Sequence, residues 1–126
     1  MKLNHDLVRE VLLEIEEMKQ FGEPLYNHDF KESKVFNIYK RDDILYTLQK
    51  LHEAGFISWT PNWASGKLIT YAINDITWNG HQFLDDVRGD IVWEETKKHA
   101  SKLGSVSIPV LQTVASSFIN GTLGLS

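Results

Sequence analysis

Apolar residues near the amino terminus recur at the spacing of an amphipathic helix. From Asn4 to about Gln20 they fall three or four positions apart, which places them on one helix face. This stripe contains Leu7, Val8, Val11, Leu12, Ile15 and Met18. Asn4 can cap the first turn, and the Gly and Pro of residues 21–24 can end the helix. We predict a first helix whose charged face, with Arg9 and Glu14, meets water.

The segment from Leu25 to Tyr39 has no clear period. Residues 35–39 are rich in β-branched and aromatic side chains, which favour a short strand. Residues 27–33 are mostly polar and predict a loop.

A second helix is predicted to end at Gly55, which can take the left-handed conformation of a C-terminal cap. Its start can be capped by Asp42 or Asp43. Its buried stripe contains Ile44, Leu45, Leu48 and Leu51.

Two short apolar runs follow, at residues 56–59 and 68–73. They flank residues 60–67, which are rich in turn-forming side chains. We therefore predict a β-hairpin with a long tip.

Helical spacing returns after Thr77, which can cap the next helix, and continues toward Lys102. Gly89 predicts a bend, and Gly104 predicts the end of this stretch. The final segment, residues 105–126, contains no charged residue. Its apolar side chains cover more than one helix face, so we expect this helix to be buried in the core or in a partner.

This order of elements is similar to a winged helix, and two runs of sequence add to the similarity. Leu48–Ile57 resembles the end of the recognition helix and the start of the wing in MarR-like and PadR-like regulators. Tyr71 followed by Ile76–Leu84 resembles the Leu-Thr-x-x-Gly-x-x-x-Leu signature that closes their wing. The resemblance implies an α+β, winged-helix-like fold. It would contain helices, a small antiparallel hairpin as the wing, and two C-terminal helices.

A closer resemblance is to a family of phage and prophage proteins classed as a domain of unknown function. It covers most of the chain. The segments that carry it are Asp6–Arg9, Leu12–Glu16, Thr77–Arg88, Asp90, Val92–Trp93, Ser107–Leu111 and Leu123–Leu125. The resemblance implies a phage or an integrated bacterial prophage as the source, and it implies no activity.

One feature departs from the winged-helix pattern. A DNA-binding helix-turn-helix needs a supporting helix before its recognition helix. Residues 21–41 have weak helical periodicity, with Gly22 and Pro24 at the start. We therefore expect the supporting helix to be missing.

A chain of 126 residues suits one domain. We divide it into a winged-helix-like part with its following helix, residues 1–104, and the uncharged segment 105–126, which packs on the same domain or on a partner. The sequence has no cysteine, which excludes disulfides, thiolate nucleophiles and cysteine zinc sites. It opens without a signal-peptide pattern, so we expect a cytoplasmic protein of a bacterial host cell.

The net charge of −4 argues against a sequence-independent nucleic-acid binder. The charge is unevenly distributed, however, because residues 31–74 carry an excess of Lys and Arg. The candidate DNA- or partner-binding residues in this part are Lys31, Lys34, Lys40, Arg41, Lys50, Trp63 and Lys67. Such side chains can contact phosphates, although the carboxylates among them would repel a DNA backbone. An ordinary solvated face is the alternative.

The four tryptophans differ in their expected surroundings. Trp63 belongs to a polar loop, so it is either an exposed contact residue or folds back onto the sheet. Trp59, Trp78 and Trp93 are predicted to be core residues.

No catalytic, metal or cofactor site is predicted. The five histidines lack the spacing of zinc ligands, and none is joined by a nucleophile or an oxyanion donor. Asp86, Asp90 and Glu94 fall on one helix face, but Lys97 and Lys98 favour surface ion pairs there.

We thus expect a non-catalytic regulator that binds double-stranded DNA, as a dimer joined through residues 106–120. The alternative is a protein-interaction module that binds a host or phage protein. We expect no association with a membrane.

Overall fold

A computed structural model describes residues 1–104 and 106–122, which form seven helices and a small antiparallel sheet. The helices are α1 (His5–Met18), α2 (Asn27–Phe30), α3 (Val35–Ile38), α4 (Arg41–Glu53), α5 (Trp78–Val87), α6 (Asp90–Leu103) and α7 (Ile108–Thr122). The strands are β1 (Leu25–Tyr26), β2 (Ile57–Ala64) and β3 (Lys67–Ile76). The predicted α+β class is confirmed.

The strand order in the sheet is β1-β3-β2, with both pairings antiparallel. β1 is short and pairs only with Ala72 and Ile73 of β3. β2 pairs with β3 over the whole hairpin, from Ile57 opposite Ile76 to Ala64 opposite Lys67. The outer half of the hairpin therefore has no third strand beside it.

The predicted long tip of the hairpin is wrong. The strands continue through residues 60–64 and from Lys67, so that only Ser65 and Gly66 form the turn. Both have positive φ, 52° and 76°, as a two-residue type I′ turn requires. Pro61 is tolerated because β2 is an edge strand, where a missing N–H need not break a ladder.

α4 fully buries three of the four predicted stripe residues, Ile44, Leu48 and Leu51, whereas Leu45 is only half-buried. The predicted cap is wrong, since the helix starts after Lys40, which has extended backbone and makes no side-chain cap bond. Asp42 and Asp43 instead lie in the first turn, where carboxylates interact favourably with the helix dipole.

The strand predicted at residues 35–39 is a helical turn, α3, and the predicted loop contains a second one, α2. The cause is a distant carboxylate. Glu14 of α1, which we expected in water, is buried, and it accepts hydrogen bonds from Ser33 Oγ at 2.7 Å and from the Lys34 amide at 3.1 Å. These bonds hold the start of α3, so a tertiary contact overrides the local β preference.

α5 and α6 are separate helices that break at Arg88 and Gly89, close to the predicted bend. Arg9 of α1 closes this break, donating to the carbonyls of Val87 at 2.8 Å and Arg88 at 2.6 Å, and its expected place in water is therefore wrong. Thr77 caps α5 as predicted, accepting from the Gly80 amide at 3.1 Å.

α7 packs against α6 and α5. It buries Ile108, Leu111 and Ala115, whereas Val110 is exposed. Gly104, with φ of 85°, ends α6 as predicted. Within the ranges 1–104 and 106–122, no helix combines the length and apolar character needed to cross a membrane.

Candidate functional site

Three of the predicted binding residues lie around one cavity. Arg41 at the start of α4 and both Trp63 and Lys67 near the hairpin tip line a space of about 390 Å³, which we call the α4–hairpin cavity. The helix and the hairpin are joined by Gly55, whose φ of 78° allows the chain to reverse directly after α4.

The walls of this cavity are mainly apolar. They are formed by Met1, Leu45, Tyr46, Trp59, Trp63 and Leu68, and the polar lining residues are Arg41, Asp42, Gln49 and Lys67. Helical spacing puts Arg41, Leu45 and Gln49 on one side of α4, away from the buried stripe. A register shift between Asn62 and Trp63 puts Trp63 opposite Leu68.

Trp59 supplies a buried donor without an acceptor. Its side chain is 5% exposed, and its indole Nε1 makes no hydrogen bond with the described residues. The ring is held between His52 and Tyr71, each with its ring centroid 6.2 Å away. A buried N–H left unpaired costs about 1–3 kcal/mol. Trp59 is thus both a core residue, as predicted, and a cavity wall that the sequence did not reveal.

The charges at the cavity are partly balanced. Arg41 lies 3.9 Å from Asp42, with both side chains exposed, so this pair is weak. Lys67 forms no ion pair with another described residue. Lys40 precedes Arg41 and is exposed. The cavity is therefore edged by more positive than negative charge.

Lys50 lies apart from this cavity. Its ammonium is 2.8 Å from Glu53 and 5.3 Å from the centre of the Tyr46 ring. The hydrogen bond with Glu53 raises the pKa of Lys50. Lys31 and Lys34 are exposed on the segment with the two short helices, and they do not line the cavity either.

Lys50 belongs instead to a second cavity, of about 420 Å³, between the C-terminal half of α4 and the start of α7. Val106 and Pro109 line its far side. Tyr46 lines both cavities, so its ring is a wall that they share.

Trp78 was predicted to be a core residue, and this is wrong because its side chain is 77% exposed. It is the first residue of α5, where Thr77 makes the cap and the next buried position is Gly80. Trp93 is buried as predicted and donates to Asp6 at 2.9 Å. Trp63 is 57% exposed, which favours the contact role over the folded-back one.

In residues 1–104 and 106–122, no three His, Asp or Glu side chains converge as metal ligands would. The acidic face is divided among separate partners. Asp86 accepts from Ser116, Asp90 pairs with Arg9, and Glu94 pairs with Lys97 at 3.2 Å.

Sequence reasoning missed Tyr46, Gln49 and Leu68 at the site. Tyr46 and Gln49 are three positions apart on α4, outside the apolar stripe, and this spacing is a signal that could have indicated them. Leu68 could not be placed, because its position depends on the irregular pairing of the hairpin.

Residues 2–107 match the family described as "Hypothetical protein (DUF2513)". The chain belongs to this family. The chain is also similar to an "Uncharacterized protein" of Haemophilus influenzae, with 28% identity over 124 residues. That alignment covers 98% of this chain and 99% of the relative. No solved structure shows a significant match. The expected membership of a family of unknown function agrees with DUF2513, while its association with phage stays a prediction.

Proposed function

We propose that this protein is a winged-helix regulator that binds double-stranded DNA through α4 and the β2–β3 hairpin. The observation that carries the proposal is the arrangement of Arg41, Trp63 and Lys67 around one cavity between these two elements. In this proposal α4 is the recognition helix and the hairpin is the wing.

The order of elements supports this interpretation of the fold. A helix, a short strand, a helical segment, α4 and a hairpin follow one another, and the first strand pairs beside the returning strand of the hairpin. The supporting helix would be the pair α2 and α3. Each has four residues, so the support for α4 comes mainly from α1, which packs against it.

The chemistry of the surface suits a duplex. Arg41 and Lys67 can contact phosphates on either side of a groove, and Lys40 adds a third positive charge. Gln49 lies on the outward part of α4 and can offer both a donor and an acceptor to a base edge. Asp42 would repel the phosphates, so the attraction to a duplex depends on the positive charges of Arg41, Lys67 and Lys40.

The test is a titration of a fluorescently labelled mixed-sequence duplex, with polarisation followed from about 20 to 200 mM salt. We expect affinity that falls steeply with salt. The double variant Arg41→Ala/Lys67→Ala should reduce the slope of log K against log salt by about 2, since each phosphate contact contributes about 0.9. The matched control is Lys98→Ala/Lys102→Ala, two exposed lysines of α6. Flat polarisation at the lowest salt would contradict the proposal.

A protein-interaction module is the second candidate, and the exposed apolar surface of the hairpin favours it. Trp63 is 57% exposed on one face of the hairpin, and Ile69, next to its cross-strand partner Leu68, is 56% exposed on the other face. Aromatic residues that remain in water on a monomer are common anchors of protein interfaces. A host or phage protein captured by the wild type, and not by Trp63→Ala, would support this candidate if duplex binding is absent.

A homodimer through residues 106–120 stays a prediction. α7 already uses Leu111 and Ala115 against its own domain, so a partner would contact Val110 and the half-buried Val114 and Phe118. Light scattering of the wild type and of Val110→Lys tests this. The cytoplasmic location and the phage or prophage origin also stay predictions.

A further inference from the structure

We infer that the α4–hairpin cavity is a binding site for a nucleotide, with the base among the aromatic walls and the phosphate at Arg41 and Lys67. This goes beyond duplex binding, since a paired base inside a duplex keeps its faces stacked on its neighbours and cannot enter a cavity. The site concerns a base that is free or unpaired.

The aromatic walls fit the faces of a base. Tyr46, Trp59 and Trp63 line the same cavity, and base–aromatic stacking tolerates every base because each has a π face. Trp63 is exposed enough to close over a ligand, while Trp59 is fixed in the core between His52 and Tyr71.

The polar groups fit the remaining parts of a nucleotide. The N–H of Trp59 has no acceptor among the described residues and almost no accessible surface, so a base would bond it only with a small shift of the cavity wall; ring nitrogens and carbonyl oxygens of bases are acceptors. The amide of Gln49 can pair with a base edge in either direction. Arg41 and Lys67 supply positive charge for a phosphate, and Lys67 has no carboxylate partner among the described residues.

The chain offers a direct readout of this site. Its four tryptophans give four indole N–H signals in a ¹H–¹⁵N correlation spectrum. Trp59 and Trp63 line the cavity, whereas Trp93 already donates to Asp6 and Trp78 stands exposed at the start of α5. The last two are internal controls, and single Trp→Phe variants assign the signals.

The experiment titrates the full chain with AMP, GMP, CMP and UMP, and with ribose 5-phosphate and the uncharged nucleosides as component controls. We expect at least one nucleotide to move the Trp59 and Trp63 signals, with the Trp59 N–H shifting downfield, and to leave Trp78 and Trp93 in place. Trp63→Ala should weaken binding about tenfold or more, the effect of losing one stacking partner. Arg41→Ala/Lys67→Ala should reduce the affinity to that of the nucleoside, while Lys98→Ala/Lys102→Ala should leave it unchanged.

A titration with a short single-stranded oligonucleotide distinguishes a site for free nucleotides from a site for unpaired bases within a strand. Tighter binding of the strand than of its mononucleotide, with the same two signals shifting, assigns the site to unpaired bases in a strand. Tighter binding of the mononucleotide than of the strand assigns the site to free nucleotides. If no nucleotide or strand moves the Trp59 signal at millimolar concentration, or if ribose 5-phosphate alone reproduces the shifts, the inference is wrong. The duplex titration reports on the proposed function separately, because the nucleotide site can exist with or without duplex affinity.

Discussion

The carboxylate of Glu14 accepts a hydrogen bond of 2.7 Å from the hydroxyl of Ser33, nineteen positions further along the chain. The same hydroxyl accepts from the Val35 amide at 3.3 Å. Together these bonds connect the segment before α4 to the first helix. The position of this segment in turn determines where α4 begins.

Replacing Glu14 should therefore loosen this segment. We expect Glu14→Ala to lower the free energy of unfolding by about 1–3 kcal/mol, because Ser33 Oγ and the Lys34 amide lose their buried acceptor. Urea denaturation measures the loss. Glu17→Ala, at an exposed position of the same helix, is the control and should change stability by less than about 0.5 kcal/mol. A double-mutant cycle with Ser33→Ala should show a coupling of at least about 0.5 kcal/mol, and simple additivity would contradict the contact.

Gly80 should tolerate no side chain. A Cβ there would lie 2.0 Å from the carbonyl oxygen of Phe56, which is backbone and cannot turn aside. We expect Gly80→Ala to cost about 3 kcal/mol, although alanine is the better helix former. Thermal unfolding tests this. In Gly121→Ala the new Cβ meets nothing within 4 Å, so the control should be neutral or slightly stabilising, and equal effects at the two positions would disprove the close packing.

The stability of the protein should depend on how easily the two residues of the hairpin turn adopt positive φ. Ser65 has φ of 52°, a conformation that asparagine adopts more easily than serine. We expect Ser65→Asn to raise stability by a few tenths of a kcal/mol, and Gly66→Val to lower it by about 1–2 kcal/mol. Melting temperatures give the order of the three proteins. A stabilised Gly66→Val would exclude the type I′ turn.

The free energy of unfolding at acidic pH should depend on the ionisation of Asp6. Burial acts to raise the pKa of this carboxyl, but hydrogen bonds from Lys97 and Trp93 outweigh it and hold the pKa below its usual value. The folded state thus gains stability from the ionised form above an unfolded-state pKa of about 3.9, and loses it as the pH falls through the lower folded value.

Asp6→Asn should consequently be less stable than the wild type at pH 7, by less than about 1 kcal/mol because the side chain is half exposed. The difference should shrink as the pH falls below 4. Denaturation at pH 7, 5 and 3 measures it, with Glu17→Gln as the control. A difference that stays constant over this range would show that the charge of Asp6 has no part in it.

The elements with regular apolar spacing could be predicted from the sequence. α1 and α4 bury most of the stripes that their periods indicate, with Met18 and Leu45 half-buried, and Thr77 and Gly104 mark helix ends as local chemistry requires. In these places the backbone preference and the tertiary packing agree.

The errors fall where a distant group decides the local structure. Residues 35–38 are helical because Glu14 holds the preceding turn, and a contact across nineteen positions leaves no trace in a local window. The strands of the hairpin were predicted too short because Pro61 and Ser65 resemble loop residues. Neither residue indicates that β2 lies at the edge of the sheet, where a proline is tolerated.

The candidate site was predicted in part. Positive charge and an isolated aromatic residue indicated Arg41, Trp63 and Lys67, which do share a cavity. The same criterion included Lys50, whose ammonium is held by Glu53 instead. The charge of a lysine does not predict the orientation of its side chain. For Lys50 the orientation depends on the carboxylate of Glu53, one helical turn away.

The first two turns of α1 contact distant parts of the chain. His5 Nε2 lies 3.1 Å from the Val106 carbonyl oxygen, 101 positions away, while Arg9 closes the break after α5. Contacts between such remote positions are slow to form, because the whole intervening chain must first be ordered. The N-terminal turn and α6 should therefore dock last in folding and open together in the native state.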